Sequence, residues 1–176
     1  MARKNKQNLS AIGVGLTAKQ MKRRKPIGSE MMREIEPLTE NQKKLFQSYD
    51  EGKNLIAYGV AGTGKTFISL YNALRDVLNP DSPYEKIYIV RSLVATREIG
   101  FLEMLYGNLK AQETISFWST SFIRGTTLDK AIVIVDEFQN LNFHELDSIM
   151  TRVGENSKIM FCGDATQSDL IKDRER

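Results

Sequence analysis

Residues 59–66 read GVAGTGKT and match the pattern G-x-x-x-x-G-K-[ST] at every fixed position. The stretch follows the apolar segment 54–58 and opens a segment with helical periodicity, which is the context a phosphate-binding loop requires. Its small residues let backbone N–H groups surround phosphate oxygens, and the N-terminus of the next helix favours negative charge. We therefore predict that the triphosphate of ATP binds to this loop and to the residue after it: Gly59, Val60, Ala61, Gly62, Thr63, Gly64, Lys65, Thr66 and Phe67.

Two side chains of this loop have predicted roles of their own. Lys65 is expected to reach the β- and γ-phosphates, and the Thr66 hydroxyl is expected to hold Mg²⁺. The alternative is a glycine-rich turn that happens to precede a helix. Average composition produces such a string in about one chain of this length in a hundred. ATP and Mg²⁺ are therefore the predicted ligands.

The pattern of apolar residues predicts the fold class. Four short apolar runs are typical of strands buried on both faces, and they cover residues 54–58, 86–90, 131–135 and 158–162. Helical patterns cover residues 40–49, 66–78 and 143–153. This alternation predicts a three-layer α/β fold with a mostly parallel sheet flanked by helices. Residues 100–127 show no clean period, and we assign no element there.

Acidic and amide side chains follow two of the predicted strands. The third strand ends in Asp136 and Glu137, which is the Walker B pattern. Asp136 is expected to bind Mg²⁺ and Glu137 to act as general base on the attacking water; the alternative is an exposed strand-to-loop pair. Gln167 follows the fourth strand and is expected to sense the γ-phosphate if that strand lies between the first and third strands. The alternative there is a turn capped by Asp164.

Gln42 has two compatible interpretations. It lies three residues after Thr39, which is the spacing of a capping box at a helix N-terminus. It is also a candidate for reading the adenine edge, which would select ATP over GTP. The sequence has no N-K-x-D string of the GTPase type, which agrees with ATP.

Charge is distributed unevenly along the chain. Residues 1–29 hold eight Lys or Arg and no acid, although the net charge of the whole chain is only +3. We interpret 1–36 as a basic N-terminal arm and 37–176 as the core. Such an arm is typical of contact with nucleic acid, and a solvated leader is the alternative.

The sequence has no apolar stretch of the roughly 20 residues that a membrane span needs, no signal-peptide pattern and one cysteine, so we predict a cytoplasmic protein.

Several strings of this sequence resemble the PhoH family of P-loop ATPases, which is related to superfamily 1 helicase cores. They read PLTENQKKLF, GVAGTGKT, YIVRSLVATREIGFL, FIRGTTLDKA, IVIVDEFQN and TRVGENSKIMFCGDATQSDL. The resemblance implies a RecA-like core that hydrolyses ATP, with RNA or single-stranded DNA as a partner. It also implies a homo-oligomeric ring, with a hexamer favoured, in a bacterial or phage-infected cell. The short chain is similar to the bacteriophage members.

The resemblance also implies roles for several polar residues. Arg91, Ser92 and Thr96 match a helicase segment that touches the nucleic-acid backbone; a surface ion pair is the alternative for Arg91. A ring of single RecA-like domains needs an arginine finger from a neighbouring subunit, for which Arg152 is the first candidate and Arg124 the second. The alternative for Arg152 is a plain cation at a helix C-terminus.

The sequence departs from the family pattern in two places. Phe101 and Leu102 run almost directly into residues 103–106, where family members have Pro-Gly-Asp and a longer helical stretch. Either this version is shortened there, or a loop is missing from the sequence. The chain also ends at Arg176, before the strand expected on the other side of the P-loop strand, so we expect a C-terminal part to be missing. Two rival functions stay open: a small-molecule kinase, and a nucleotide-gated binding module without turnover.

Overall fold

The computed structural model describes residues 32–91, 114–123 and 125–164 of the 176-residue chain. In this part of the chain the helices are α1 (Glu40–Asp50), α2 (Lys65–Val77) and α3 (Phe143–Met150), with a 3₁₀ turn at Phe138–Asn140. The strands are β1 (Leu55–Tyr58), β2 (Lys86–Arg91), β3 (Ile115–Ser119), β4 (Ala131–Asp136) and β5 (Lys158–Gly163). None of the described helices is long and apolar enough to cross a membrane.

The five strands form one parallel sheet in the order β1-β5-β4-β2-β3. Strand β5 pairs on one side with β1, where Tyr58 lies opposite Gly163, and on the other side with β4, where Asp136 lies opposite Cys162. The fourth sequence-predicted strand therefore lies between the P-loop strand and the Asp136 strand, which is the condition on which the prediction for Gln167 depends. Because all strands run in one direction, the ends of β1, β2, β4 and β5 meet at one edge of the sheet.

Apolar side chains cover both faces of the sheet, as the near-continuous apolar strands predict. On one face, α1 and α2 pack against the sheet, with Leu70 and Leu74 buried beside strand residues such as Ile134. On the other face, α3 contributes the fully buried Ile149, which lies in one cluster with Val133. Helices on both faces of a parallel sheet make the three-layer α/β fold that the sequence predicts.

The N-termini of α1 and α3 are capped by side chains. Asn142 and Glu145 form a complete capping box at α3. At α1, Thr39 Oγ1 accepts a hydrogen bond from the Gln42 N–H (3.2 Å), but Gln42 Oε1 accepts from the N–H of Leu38 (2.7 Å) instead of that of Thr39. The predicted capping box at α1 is therefore incomplete. The side chain of Gln42 bonds the N–H of Leu38, one residue before the expected partner Thr39.

Two elements differ from the sequence-based expectation. Strand β3 lies inside the region where we assigned no element, because its mixed sequence ISFWS is half-buried and owes its extended form to pairing with β2. Trp118 in β3 packs its ring edge-on against Tyr88, with ring centroids 5.0 Å apart, and both half-buried side chains lie against the core cluster that contains Val133. Helix α3 ends at Met150, three residues earlier than predicted.

A buried cation connects α1 to the sheet at the edge opposite the P-loop. Lys158, the first residue of β5, is 3% exposed, and its Nζ donates a hydrogen bond to the backbone oxygen of Tyr49 (3.0 Å). The ammonium also lies 3.7 Å from the centroid of the Tyr49 ring, within the range of a cation–π interaction. Burial lowers the pKa of Lys158, while the nearby carboxylates of Asp76 and Asp50 oppose that shift.

Candidate nucleotide-binding site

The predicted P-loop connects β1 to α2 with the backbone geometry that its glycines permit. Gly62 and Gly64 have φ values of 77° and 81°, which L-residues with a side chain rarely adopt. Gly64 is also the N-cap of α2, so the helix begins at Lys65 directly behind the loop. The N–H of Gly59 donates to the oxygen of Gly163 (3.2 Å), which joins the start of the loop to the end of β5. The N-terminus of α2 therefore faces the loop.

The Lys65 side chain folds over the loop rather than away from it. Its Nζ donates to the backbone oxygens of Gly59 (2.9 Å) and Val60 (2.7 Å). Thr63 Oγ1 donates to the same Val60 oxygen (3.0 Å), which further closes the loop. The ammonium group is thus placed at the concave side of the loop, where a phosphate would lie.

Thr66 and Asp136 are in direct contact although 70 residues separate them in the sequence. Thr66 Oγ1 donates to Asp136 Oδ1 at 2.7 Å. The carboxylate of Asp136 ends β4 and is only 2% exposed. Hydroxyl and carboxylate oxygens are the ligand types that Mg²⁺ prefers, and a phosphate-bound Mg²⁺ takes few protein ligands besides water. The two side chains therefore fit the predicted magnesium site.

Arg91 lies beside this pair in a buried position. Arg91 is 7% exposed and forms a salt bridge with Asp136, with Nη2 2.6 Å and Nε 2.8 Å from Oδ2. The alternative expectation for Arg91 was a surface ion pair; an ion pair is present, but it is buried. The contact of Arg91 with a nucleic-acid backbone stays a prediction.

Glu137 is held in an unusual backbone conformation next to Asp136. Its φ of 54° and ψ of 41° put it in the left-handed region, which costs free energy for a residue with a side chain. Its carboxylate accepts a hydrogen bond from Gln139 Nε2, and Gln139 Oε1 accepts from the N–H of Asp164 (3.0 Å). Gln139 thereby connects the candidate general base to the end of β5. No sequence motif predicted this role for Gln139.

Gly163 is the position at which the 3₁₀ turn packs on β5. A Cβ added at Gly163 would lie 2.4 Å from Gln139 Oε1 and 2.6 Å from Phe138 Cδ1. These separations are well below van der Waals contact, so the side chains of Gln139 and Phe138 would have to move. The absence of a side chain at Gly163 therefore leaves room for the Gln139 side chain that hydrogen-bonds the candidate base.

Replacing Gly163 by alanine is expected to lower the free energy of unfolding by about 1–3 kcal/mol, as overpacked sites do. It should also reduce any turnover at the site, because the Gln139 side chain that hydrogen-bonds Glu137 is displaced. Urea unfolding followed by circular dichroism measures the first effect. Gly52→Ala is the control: its added Cβ meets nothing within 4 Å, so any loss of stability there comes from the φ of 77° and not from packing. Wild-type stability and wild-type turnover in Gly163→Ala would contradict the packing argument.

A cleft of about 240 Å³ brings several of the predicted catalytic and phosphate-binding residues together. Its lining residues come from the P-loop, the start of α2 and the ends of β4 and β5: Ala61, Gly62, Gly64, Lys65, Thr66, Phe67, Asp136, Glu137, Gly163 and Asp164. The Phe67 side chain is 54% exposed at this cleft. One arrangement thus holds a cation over the loop, a hydroxyl–carboxylate pair and the carboxylate of the candidate base.

A larger groove of about 800 Å³ adjoins the loop between α1 and β1. Gln42 lines it, and Gln42 Nε2 donates to the backbone oxygen of Thr63 in the loop (3.2 Å). Apolar side chains such as Leu45 and Ile68 line the rest of the groove. Its position beside the phosphate cleft and its partly apolar lining suit a purine base.

Cys162 lies next to the site without taking part in it. The thiol is fully buried and donates a hydrogen bond to Ser69 Oγ (3.3 Å). Burial raises the pKa of Cys162 to about 12, so almost none of it is thiolate at neutral pH. We therefore regard Cys162 as a core residue.

Other predicted site residues lie away from the cleft or outside the described part of the chain. Arg152 is half-buried just after α3, where its backbone oxygen accepts from the N–H of Leu128 (2.8 Å), and it does not line the phosphate cleft. Its role as an arginine finger stays a prediction. Outside the described residues lie Gln167, Ser92, Thr96 and Arg124, together with most of the basic arm.

The sequence matches a known protein family over most of its length. A model of the family described as PhoH-like protein matches residues 34–107 and 105–176. The chain belongs to this family. This PhoH-like chain is 29% identical to the PhoH-like protein of Mycobacterium leprae (strain TN), over 77% of its own length and 46% of that protein. It is 31% identical to Protein PhoH of Escherichia coli (strain K12), over 68% of its own length and 41% of that protein.

The chain thus spans less than half the length of these two relatives. Among solved structures, the PhoH-like chain is similar to the large terminase of a thermophilic bacteriophage, solved in complex with ADP. The TM-score is 0.52 at 18% identity, and the match covers 72% of this chain and 39% of the terminase. At this identity the likeness shows a shared fold, which is the P-loop NTPase fold predicted from the sequence.

Proposed function

We propose that this PhoH-like protein binds ATP with Mg²⁺ and hydrolyses it to ADP and phosphate. The observation that carries the proposal is the 2.7 Å contact between Thr66 Oγ1 and Asp136 Oδ1. It brings the P-loop hydroxyl to the Walker B carboxylate, the two groups that share the nucleotide's magnesium ion in P-loop NTPases. The structurally similar terminase was solved in complex with ADP, which supports nucleotide binding by this chain.

Each group in the cleft has a distinct task in this mechanism. The loop N–H groups and Lys65 hold the phosphates, and Lys65 stabilises the negative charge that develops during transfer. Thr66 and Asp136 would hold Mg²⁺, which neutralises charge on the β- and γ-phosphates. Glu137 accepts a proton from the attacking water, and Gln139 orients the Glu137 carboxylate for that purpose. Gln167 is proposed to sense the γ-phosphate.

We further propose that the base is adenine. The Gln42 side chain spans the groove between the Leu38 N–H and the Thr63 oxygen. Its amide carries both a donor and an acceptor, and the Watson–Crick and Hoogsteen edges of adenine each offer the complementary pair. A base bound there would replace Leu38 and Thr63 as hydrogen-bond partners of Gln42. Because Thr63 belongs to the P-loop, recognition of the base would be linked to the loop.

The finer parts of the function concern nucleic acid and assembly. The eight basic residues and no acid within 1–29 support contact with a single-stranded nucleic acid, RNA or DNA, with Ser92 and Thr96 as further candidates for backbone contact. A homo-oligomeric ring, with a hexamer favoured, would let Arg152 or Arg124 of a neighbouring subunit supply the positive charge that phosphoryl transfer needs.

Phosphate release from ATP, measured with and without a single-stranded RNA or DNA oligonucleotide, tests the nucleic-acid part of this proposal. Single strands are expected to raise turnover at least about 5-fold, with the stimulation falling as salt rises because the contact is electrostatic. Heparin is the control for a generic polyanion. A variant in which four basic residues of the arm are replaced by alanine should lose the stimulation but keep basal turnover. The four residues are Lys22, Arg23, Arg24 and Lys25.

Three results would each overturn a different part of the proposed function. Equal stimulation by heparin would remove nucleic acid as the specific partner. Basal turnover without any stimulation would leave an ATPase that acts independently of nucleic acid. ATP binding with no phosphate release under any condition would favour a nucleotide-gated binding module, and a phosphorylated small product would favour a kinase.

A further inference from the structure

Arg91 is a buried cation at the edge of the sheet where the nucleotide site lies. It is the last residue of β2, and the register pairs Val90 of β2 with Val135 of β4. Arg91 is therefore the neighbour of Asp136 on the adjacent parallel strand. Both side chains are almost completely buried, at 7% and 2% exposed. The backbone of two central strands thus holds the ion pair in place.

The two oxygens of the Asp136 carboxylate have different partners. Oδ2 accepts from both Nε and Nη2 of Arg91, at 2.8 and 2.6 Å. Oδ1 accepts from Thr66 Oγ1 at 2.7 Å. Because a carboxylate is planar, a guanidinium that fixes Oδ2 also fixes the direction in which Oδ1 points. That direction is toward the P-loop hydroxyl.

We propose that Arg91 is a positioning residue of the magnesium site, which holds the Asp136 carboxylate so that Oδ1 and Thr66 Oγ1 form a preorganised pair for a divalent cation. The inference rests on the proposed function, since it concerns the cation that accompanies the nucleotide. Outer partners that orient a metal-binding carboxylate commonly change metal affinity about 10–100-fold when they are removed. Arg91 acts through Asp136 and does not itself touch the nucleotide or the cation.

A guanidinium suits this task better than an ammonium would. Its planar fork places two N–H groups on one oxygen in a fixed orientation, whereas a lysine ammonium is a point charge on a flexible stem. The pair also places a positive charge next to a carboxylate that has little contact with water, so neither charge is buried without a partner. Lysine at this position should therefore preserve the charge but lose part of the orientation.

Binding of a fluorescent ADP analogue to the full-length protein, titrated with MgCl₂ from an EDTA-containing buffer, tests this role without any hydrolysis. In Arg91→Met the Mg²⁺ concentration at half-maximal tight binding is expected to rise about 10–100-fold, while nucleotide affinity in EDTA changes less than about 3-fold. Arg91→Lys should fall between this variant and the wild type. A matching shift for Mn²⁺ would locate the effect at the cation rather than at the nucleotide.

Lys158→Met is the matched control, because it also removes a buried cation but lies at the opposite edge of the sheet. It is expected to lower the melting temperature and leave the Mg²⁺ midpoint unchanged. If Arg91→Met lowers only the melting temperature and keeps the wild-type Mg²⁺ midpoint, Arg91 is merely structural and the inference fails. Should Arg91→Met not fold, the Arg91→Lys titration decides, and an unchanged midpoint there overturns the inference. Wild-type protein that shows no Mg²⁺-dependent nucleotide binding overturns the proposed function itself, and this inference with it.

Discussion

Replacing Lys65 by alanine is expected to weaken ATP binding about 100-fold or more and to abolish turnover. The side chain places its ammonium on the concave side of the loop, 2.9 and 2.7 Å from the backbone oxygens of Gly59 and Val60. In the nucleotide complex we expect that ammonium to hold the β- and γ-phosphates through charge-assisted hydrogen bonds. A 100-fold loss corresponds to about 2.7 kcal/mol of binding free energy. Isothermal titration calorimetry with ATP and Mg²⁺ measures it.

The control for this variant is Lys130→Ala. Lys130 is an exposed lysine that pairs with Glu85 at the surface (2.7 Å), so its removal changes the net charge by the same amount. Such surface pairs contribute little to stability, and Lys130→Ala should bind ATP as the wild type does. Nucleotide binding and phosphate release at wild-type levels in Lys65→Ala would show that the P-loop is not the nucleotide site.

Glu137→Gln is expected to lower turnover about 100- to 10,000-fold while ATP affinity stays within about 3-fold of the wild type. The amide keeps the size of the side chain and an oxygen that can accept the hydrogen bond from Gln139, so the 3₁₀ turn should keep its place. What is lost is the ability to take a proton from water. Pre-steady-state mixing with ATP should show normal binding followed by little or no release of phosphate.

Glu85→Gln serves as the comparison, because it neutralises a carboxylate far from the cleft, next to the exposed start of β2. Its turnover should equal that of the wild type. Retained hydrolysis in Glu137→Gln would remove Glu137 from the role of general base and direct attention to another acid that lines the cleft, Asp164.

The parts of the fold and site that the sequence predicted are those encoded by contiguous residues. Residues 59–66 carry the loop, its glycines and its cation in one string, and the apolar runs of β4 and β5 are long enough to be recognised alone. The β1-β5-β4 order is the condition on which the prediction for Gln167 depends, and the sheet has that order. Local sequence is sufficient here because each motif contains both the residues that form the loop or strand and the side chains that would contact the nucleotide.

The parts that the sequence did not predict depend on contacts between distant residues. Strand β3 is extended because it pairs with β2, and its own pattern does not distinguish a strand from a loop. Arg91 ends a predicted strand, but only the strand order shows that its neighbour is Asp136 rather than solvent. Gln139 can lie between Glu137 and the end of β5 because Gly163, which belongs to a different element, has no side chain. No pattern in the sequence alone indicates these three relations.

The most direct test of the proposed ATPase is phosphate release from ATP by the full-length protein, measured beside Glu137→Gln with ATP binding recorded for both. Mg²⁺-dependent release is expected from the wild type and almost none from the variant, with ATP bound equally well to both proteins. Release that persists in Glu137→Gln, or wild-type protein that binds ATP and Mg²⁺ but releases no phosphate even with single-stranded nucleic acid, would contradict it.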